Sequence, residues 1–199
     1  MRRIVAIIGL GLLTGAGVIF LSGTPAGDSV SMDNDTTFTL TSAAFEDGGA
    51  IPARYTCDGE RAVTPPLSIA NVPEGTHSMV LVMDDPDIPQ VFKDERGIQA
   101  FDHWVVYDIP PSIAEIPEGG VVGSSGVNSG NNEGYTGPCP PPEYQPTTHR
   151  YIFTMYALSG SVQFAKAPTK AEVLAAIQGM ILGEATLIGT YDRAGTTTN

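Results

Sequence analysis

The sequence predicts a mainly β protein built as a β-sandwich. Three observations lead to this fold class: short apolar runs recur along the chain, turn-forming residues separate them (23 glycines and 16 prolines in 199 residues), and a single late segment has the pattern of a helix. A hydrophobic fraction of 42% in a chain of this length allows one sizeable core. We therefore expect one globular domain behind an N-terminal extension.

Six apolar runs are interpreted as strands. The run at residues 79–83 does not alternate between apolar and polar side chains, so we expect it in the middle of a sheet, buried on both faces. The predicted strands cover residues 38–42, 67–70, 78–83, 103–109, 150–158 and 185–191.

One helix is predicted after Pro168. Thr169 and Glu172 have the spacing of a capping box, and the helix should end near Gly183. Its apolar stripe consists of Val173, Leu174, Ile177 and Ile181. Residues 119–146 are instead rich in glycine, proline and asparagine, so we predict a long surface loop of functional importance or high mobility.

The N-terminal extension has the pattern of an export segment. Arg2 and Arg3 precede an uncharged stretch at residues 4–23, which is longer than the usual signal-peptide run of ~7–15 residues and close to the ~20 of a membrane span. Residues 1–26 are therefore a membrane anchor or, with cleavage near Ala26, a signal peptide. Residues 27–36 are a polar tether, and residues 37–199 form the domain. Since the arginines should stay in the cytoplasm, we expect an exported domain, held at the outer membrane face or secreted.

The part after residue 26 is strongly acidic. Arg2 and Arg3 are the only charged residues before residue 27. The remainder of the chain therefore carries 8 basic and 22 acidic residues, a formal net charge of −14. Such a charge repels nucleic acid, and no basic stripe or basic-aromatic cluster offsets it. Nucleic-acid binding is therefore excluded as a function class.

Polar segments stand at the ends of three predicted strands. A rigid sheet presents chemistry at its rim, so we expect these segments to converge on one site. They are Asp84-Asp85-Pro86-Asp87-Ile88-Pro89, Phe101-Asp102-His103-Trp104, and Gly137-Pro138-Cys139-Pro140-Pro141-Pro142 with His149-Arg150-Tyr151.

These segments, in this order, resemble the phosphatidylethanolamine-binding protein family, specifically its bacterial and archaeal branch, which is similar to Raf kinase inhibitor protein. Tyr-Thr-Cys-Asp-Gly at residues 55–59 and Leu-Ile-Gly-Thr-Tyr at residues 187–191 fit the same branch. The resemblance covers about residues 38–193. It implies two antiparallel sheets with peripheral helices, and a binding or inhibitory module rather than an enzyme.

The resemblance also implies a pocket for a small anion, such as phosphate or a phosphorylated head group. The histidine and tyrosine donors available here suit such a ligand. Asp102, which directly precedes His103, departs from the pattern of many relatives and should weaken anion binding by its charge. The implied pocket residues are Asp85, His103, Gly137, Pro138, His149 and Tyr151, with Tyr191 as a less certain member.

Strand alternation predicts which of these side chains share a face. His103 should lie on the face of Val105 and Tyr107, opposite Trp104. His149 and Tyr151 should share the pocket, while Arg150 turns away toward Asp87.

The two aspartates Asp85 and Asp87 flank a proline. In an extended segment they form a carboxylate pair, or one pocket residue beside one structural anchor. Alternatively, both cap a turn. The resemblance favours Asp85 in the pocket and a structural role for Asp87.

Other function classes stay open. A hydrolase could use the same Asp and His pocket, but no metal-ligand spacing occurs, and Ser124 and Ser125 lack the setting of a nucleophile. We expect no metal and no cofactor. A third alternative is a scaffold or homodimeric surface protein, and no kinase or protease partner can be named. Cys57 and Cys139, the only cysteines, are expected to form a disulfide because the domain is exported, the alternative being two buried thiols.

Overall fold

Two antiparallel sheets and two short helices form the part of the chain that the computed structural model describes, residues 37–60 and 63–193. The three-stranded sheet has the order β1-β2-β5 and the five-stranded sheet the order β6-β4-β3-β7-β8. The strands are β1 (Thr39–Thr41), β2 (Leu67–Ala70), β3 (Ser78–Asp85), β4 (Phe101–Ile109), β5 (Glu115–Ile116), β6 (Ser124–Ser125), β7 (Thr148–Leu158) and β8 (Ile181–Asp192). The helices are α1 (Gln90–Arg96) and α2 (Lys170–Ala176).

The main core lies between the two sheets. Leu40 and Ile69 from the small sheet belong to the same buried cluster as Leu81, Met83 and Phe153 from the large sheet. A second cluster covers the opposite face of the large sheet, where α2 packs. Its members include Val80, Val82, Val105, Val173 and Ile177. Strand β3 is thus central and buried on both faces, which explains its non-alternating sequence and confirms that prediction.

Helix α2 begins as predicted and ends earlier. Thr169 and Glu172 form the capping box, but the helix stops at Ala176, and Ile181 starts β8 instead of continuing the apolar stripe. Gly179 has φ +81°, a left-handed conformation that turns the chain out of the helix. Ile181 then pairs with Leu158 in the β7–β8 ladder. The predicted end near Gly183 was wrong because long-range strand pairing competes with the local periodicity.

Helix α1 had no counterpart among the predicted elements. It follows Pro89 and ends at Gly97, whose φ of 66° is left-handed. Its sequence carries no conspicuous apolar stripe, which agrees with the finding that none of its residues is fully buried. The Pro89 and Gly97 boundaries are the signal that could have revealed it.

The predicted long loop, residues 119–146, is irregular apart from β6 and is tied to the domain. Asn128 is buried, and its side chain hydrogen-bonds four groups of the loop: the amides of Gly130 and Asn132, the Gly134 carbonyl and the Thr136 hydroxyl. Beyond β6, the loop is anchored to β4 at three points, between Gly126 and Val105, between Ser129 and Asp102, and between Thr136 and His103. These bonds position the segment that leads to Gly137.

The predicted anchor or signal peptide at residues 1–26 and the tether at residues 27–36 lie outside the described residues and stay predictions. Within residues 37–60 and 63–193, no helix combines the length and apolarity needed to cross a membrane.

Candidate functional site

A buried carboxylate–imidazole pair forms the floor of the site. Asp85 ends β3, His149 begins β7, and both are almost fully buried. Oδ2 of Asp85 lies 2.6 Å from Nδ1 of His149, while Oδ1 accepts a hydrogen bond of 2.8 Å from the Asp87 amide. Because the carboxylate accepts, the proton is on Nδ1 of His149. Nε2 then carries a second proton only when the imidazole is charged.

His103 provides a second buried imidazole beside this pair. Its Nδ1 donates to the Thr136 carbonyl at 2.7 Å, which again leaves Nε2 as the variable nitrogen. Burial lowers the pKa of His103 below 6.5, although the bond to Thr136 and the charge of Asp85 act in the opposite direction. The free site therefore holds a neutral His103 at neutral pH, with Nε2 as a hydrogen-bond acceptor.

A β-bulge in β4 aims His103 at the floor. Met83 pairs with Trp104 but Asp84 pairs with Asp102, so His103 is skipped in the ladder. Its ring packs edge-on against Tyr151, 5.2 Å between centroids, on the side of the core between the sheets. The prediction that His103 shares a face with Val105 was wrong, because a bulge interrupts the alternation of a strand.

Within the part of the chain that the structure describes, two polar atoms at the floor are buried without a hydrogen-bond partner: Nε2 of His149 and the hydroxyl of Tyr151. Burial raises the pKa of Tyr151 far above its usual range, so the phenol keeps its proton. The Asp85 carboxylate and the Cys139 amide are close enough to influence that pKa, but neither meets the geometry of a hydrogen bond to the hydroxyl. Unsatisfied buried polar groups are uncommon, and each calls for an explanation.

A cavity of about 310 Å³ opens above the floor. Asp85, His103 and His149 all line it, so the structure brings together three of the predicted residues from three neighbouring strands. Gly137 lines it as well, and the strand-end segments predicted to converge also supply Ile88, Pro89, Phe101, Cys139, Pro140 and Pro141. Sequence reasoning missed the remaining lining residues, Phe92, Arg96, Ile98 and Thr136, because α1 was not predicted and Thr136 belongs to the loop before β7.

The glycine and proline of the predicted pocket have different positions. Gly137 lines the cavity, and a Cβ there would lie only 2.6 Å from the Tyr55 carbonyl, so glycine is required for this close backbone approach. Pro138 is buried next to the lining, where its carbonyl accepts from the Cys57 amide. Tyr151 likewise lies behind the floor, in contact with the His103 and His149 rings.

Asp87 does not pair with Asp85. The chain turns after Asp85, and the Asp87 carboxylate makes a two-point contact with the Arg150 guanidinium at 2.7 and 2.8 Å and also accepts from the Arg150 amide. The hydrogen bond from Arg150 lowers the pKa of Asp87. The sequence left several interpretations of the two aspartates open. The correct one is that Asp85 is a pocket residue and Asp87 a structural anchor, and Arg150 does turn toward Asp87.

Asp102 forms an ion pair with Lys170 of α2, which it shares with Asp84. Nζ of Lys170 lies 2.5 Å from Oδ1 of Asp102 and 3.1 Å from Oδ2 of Asp84. Burial opposes the charged form of Lys170, yet the bond to Asp102 and the charge of Asp84 raise its pKa overall. The ion pair offsets part of the negative charge beside the site, and Asp102 still acts on His103 through its charge, so the expected weakening of anion binding by Asp102 stays a prediction.

Two further predicted residues connect the outer parts of the domain. Cys57 and Cys139 form the predicted disulfide, which joins the loop after residue 55 to the cavity wall. Tyr191 is buried in the main core, and its hydroxyl donates to Asp58 at 2.7 Å. Tyr191 is not among the residues that line the cavity.

Residues 41–192 match the family model of phosphatidylethanolamine-binding protein. The chain belongs to this family. A UPF0098 protein from Methanothermobacter thermautotrophicus is 40% identical over 164 residues, which cover 77% of this chain and 98% of that protein. The match confirms the family predicted from the strand-end segments.

Solved structures agree with this assignment. A Chlamydia trachomatis homologue of the phosphatidylethanolamine-binding proteins superposes with a TM-score of 0.72 at 36% identity and covers 79% of this chain and 99% of that one. The Escherichia coli protein YBCL, described as a member of the mammalian family, has a TM-score of 0.67 at 24% identity and covers 78% and 98%. The second likeness establishes the fold alone.

Proposed function

We propose that this phosphatidylethanolamine-binding family domain is a non-catalytic binding module for a small anion, either phosphate or a phosphorylated head group. The observation that carries the proposal is the buried Nε2 of His149: the residue lines the cavity, Asp85 holds its Nδ1, and no group among residues 37–60 and 63–193 partners its Nε2. An anion at this nitrogen would satisfy it through a charge-assisted hydrogen bond.

Proton transfer is part of the proposed binding step. With Nδ1 donating to Asp85, only the imidazolium of His149 can also donate from Nε2, so the bound anion stabilises the charged ring. His103, neutral in the free site, accepts from a protonated phosphate oxygen or takes up a proton itself. The Tyr151 hydroxyl is a further buried donor close to the same floor.

Charge around the cavity favours this ligand class. Arg96 lines the cavity at the end of α1 and is exposed, and within residues 37–60 and 63–193 no ion pair holds it. Asp85 is balanced by His149 when that ring is protonated. The similarity to Raf kinase inhibitor-like proteins extends the proposal to an inhibitory role toward a kinase or protease, whose identity the geometry does not specify.

A hydrolase is the second candidate, because an Asp–His pair at 2.6 Å also has the arrangement of a general base with its orienting carboxylate. In the described residues, no three His, Cys, Asp or Glu side chains are placed to hold a metal ion. Ser124 and Ser125 lie on β6 beside Val106 and Tyr107, away from the lining. Water would have to be the nucleophile, and release of 4-nitrophenol from 4-nitrophenyl phosphate would favour this alternative.

The test is calorimetric titration of the full-length chain with inorganic phosphate. His149→Asn retains an amide in place of Nδ1, so Asp85 stays satisfied while the Nε2 contact is lost. We expect phosphate affinity to fall about 10- to 100-fold, the range for a hydrogen bond to a charged group. His77→Asn is the matched control, since His77 is exposed and bonds Ser159 near the opposite end of β3. Equal affinities in wild type and His149→Asn would refute the proposal.

A further inference from the structure

The connection between β3 and β4 is much longer than a hairpin requires. It covers residues 86–100 and contains α1, whereas hairpin loops usually have about 2–5 residues. Asp85 and His103 lie at or near its two ends, so the connection passes over the floor of the site. Its contribution to the cavity is Ile88, Pro89, Phe92, Arg96 and Ile98.

This wall is apolar and aromatic. Phe92 projects from α1 into the cavity lining, and its ring is held by an edge contact with Tyr144, 5.4 Å between centroids. The ring of Phe101 packs against the His103 ring, with 4.8 Å between centroids. Pro140 and Pro141 line the cavity from the separate loop before β7. Such rings offer the surfaces against which another flat ring packs in offset or edge geometry.

The cavity is also too large for the anion alone. At the liquid volume of ~30 Å³ per molecule, 310 Å³ corresponds to roughly ten waters, of which a phosphate replaces only a few. It is nevertheless at the lower limit of ~300 Å³ for small-molecule pockets, which suits one ring system. An apolar wall left in contact with water above a polar floor indicates a ligand with two chemically different parts.

We propose that the cavity binds an aromatic small molecule that carries a monophosphate, with the phosphate at His149 and His103 and the ring against Phe92. This inference rests on the proposed anion site and adds the identity of the group attached to the anion. Burial of only about 60 Å² of apolar surface on the ring corresponds to about 1.4 kcal/mol, or a tenfold gain in affinity.

The experiment compares three ligands on the full-length chain: inorganic phosphate, glycerol 3-phosphate and phenyl phosphate. Phenyl phosphate should bind at least about tenfold more tightly than the other two. Phe92→Ala should remove most of this advantage while phosphate affinity stays within twofold, and Phe92→Leu should restore part of it. Val91→Ala is the matched control, because Val91 lies on the same helix, is exposed and does not line the cavity.

The outcomes separate this inference from the proposed function. Equal affinities for the three ligands, or a phenyl advantage that survives Phe92→Ala, would overturn the aromatic subsite and leave the anion site standing. Absence of phosphate and phenyl phosphate binding in the wild type would overturn both. If Phe92→Ala loses the circular dichroism spectrum of the folded state, its loss of phenyl phosphate binding is not informative and Phe92→Leu decides. The phenyl phosphate affinity of Phe92→Leu must then lie between the wild-type affinities for phenyl phosphate and for inorganic phosphate.

Discussion

At one end of strands β3 and β4, each face of the sheet carries a cluster of ionisable side chains, and the two clusters differ in how their charges are paired. On the α2 face, Asp84 and Asp102 share the ammonium of Lys170. On the cavity face, their sequence neighbours Asp85 and His103 lie beside His149, whose Nε2 has no hydrogen-bond partner in the described part of the chain. Residues adjacent in sequence thus belong to two clusters that contain similar ionisable groups. In the first cluster a lysine pairs the carboxylates, and in the second one buried nitrogen has no partner among the described residues.

The difference teaches how a structural charge cluster can be told from a binding site. Lys170 closes the first cluster, since its ammonium lies within ion-pairing distance of both carboxylates and offsets one of their two negative charges. The second cluster leaves a buried donor or acceptor unused, at a cost of about 1–3 kcal/mol unless a ligand or water satisfies it. The number of ionisable residues does not distinguish the faces. Oδ1 of Asp102 meets no hydrogen-bond geometry but is in an ion pair with Lys170, whereas Nε2 of His149 has neither kind of partner among the described residues.

The largest expected effect is on stability, in Lys170→Met. Loss of the ammonium leaves two carboxylates close together on a mostly buried surface, and we expect the free energy of unfolding to fall by about 2 kcal/mol. Urea denaturation measures this change, and phosphate affinity should stay within twofold. Lys166→Met, at an exposed lysine shortly before α2, should change stability by less than about 0.5 kcal/mol. If the two variants are equally stable, the cluster on the α2 face is not structural.

An intermediate effect is expected from pH, through His103. Its pKa is lowered by burial, so the ring is neutral in the free site, and a fully deprotonated anion such as sulfate must bring in a proton from solution. Sulfate affinity should therefore rise several-fold between about pH 7.5 and about pH 5.5, whereas phosphate, which carries its own proton, should show a smaller slope. His103→Asn should reduce the slope for sulfate. A pH-independent affinity for sulfate would contradict the assigned tautomers.

The stability of the free protein should have the opposite pH dependence. Because the folded-state pKa of His103 lies below the unfolded value of 6.5, the unfolded chain binds the proton first as pH falls. The contribution of neutral His103 is fully present above about pH 6.5 and is lost as pH falls toward the lowered pKa. In thermal denaturation without anions, His103→Asn should lose less stability over this range than the wild type.

The smallest effect is expected from Arg96→Gln. Arg96 is exposed at the cavity, where an exposed cation accelerates the approach of anions more than it holds them. Stopped-flow measurements with phenyl phosphate should show a two- to fivefold slower association at low salt, a difference that vanishes near 0.5 M salt. Lys166→Gln, which changes an exposed cation outside the lining, should leave the rate unchanged. A salt-independent reduction would indicate direct contact with the ligand instead of steering.

The sequence by itself determined the family, the central strand and most of the floor. Residues 79–83 are apolar at every position, so their burial on both faces followed from composition alone. Asp85 and His149 stand at the ends of apolar runs, where strand geometry must place them at the sheet rim. The capping box at Thr169 was equally local, because both its hydrogen bonds join residues three apart.

Only the tertiary structure decided how these residues are aimed and what surrounds them. The direction of His103 depends on a bulge that arises from pairing with β3, and Asp102 is paired by Lys170, which is distant in sequence. The aromatic wall exists because α1, a helix with no buried residue, lies over the floor. Each of these features depends on contacts between segments that are far apart in the sequence. The local sequence pattern of one segment does not show which other segment it will contact.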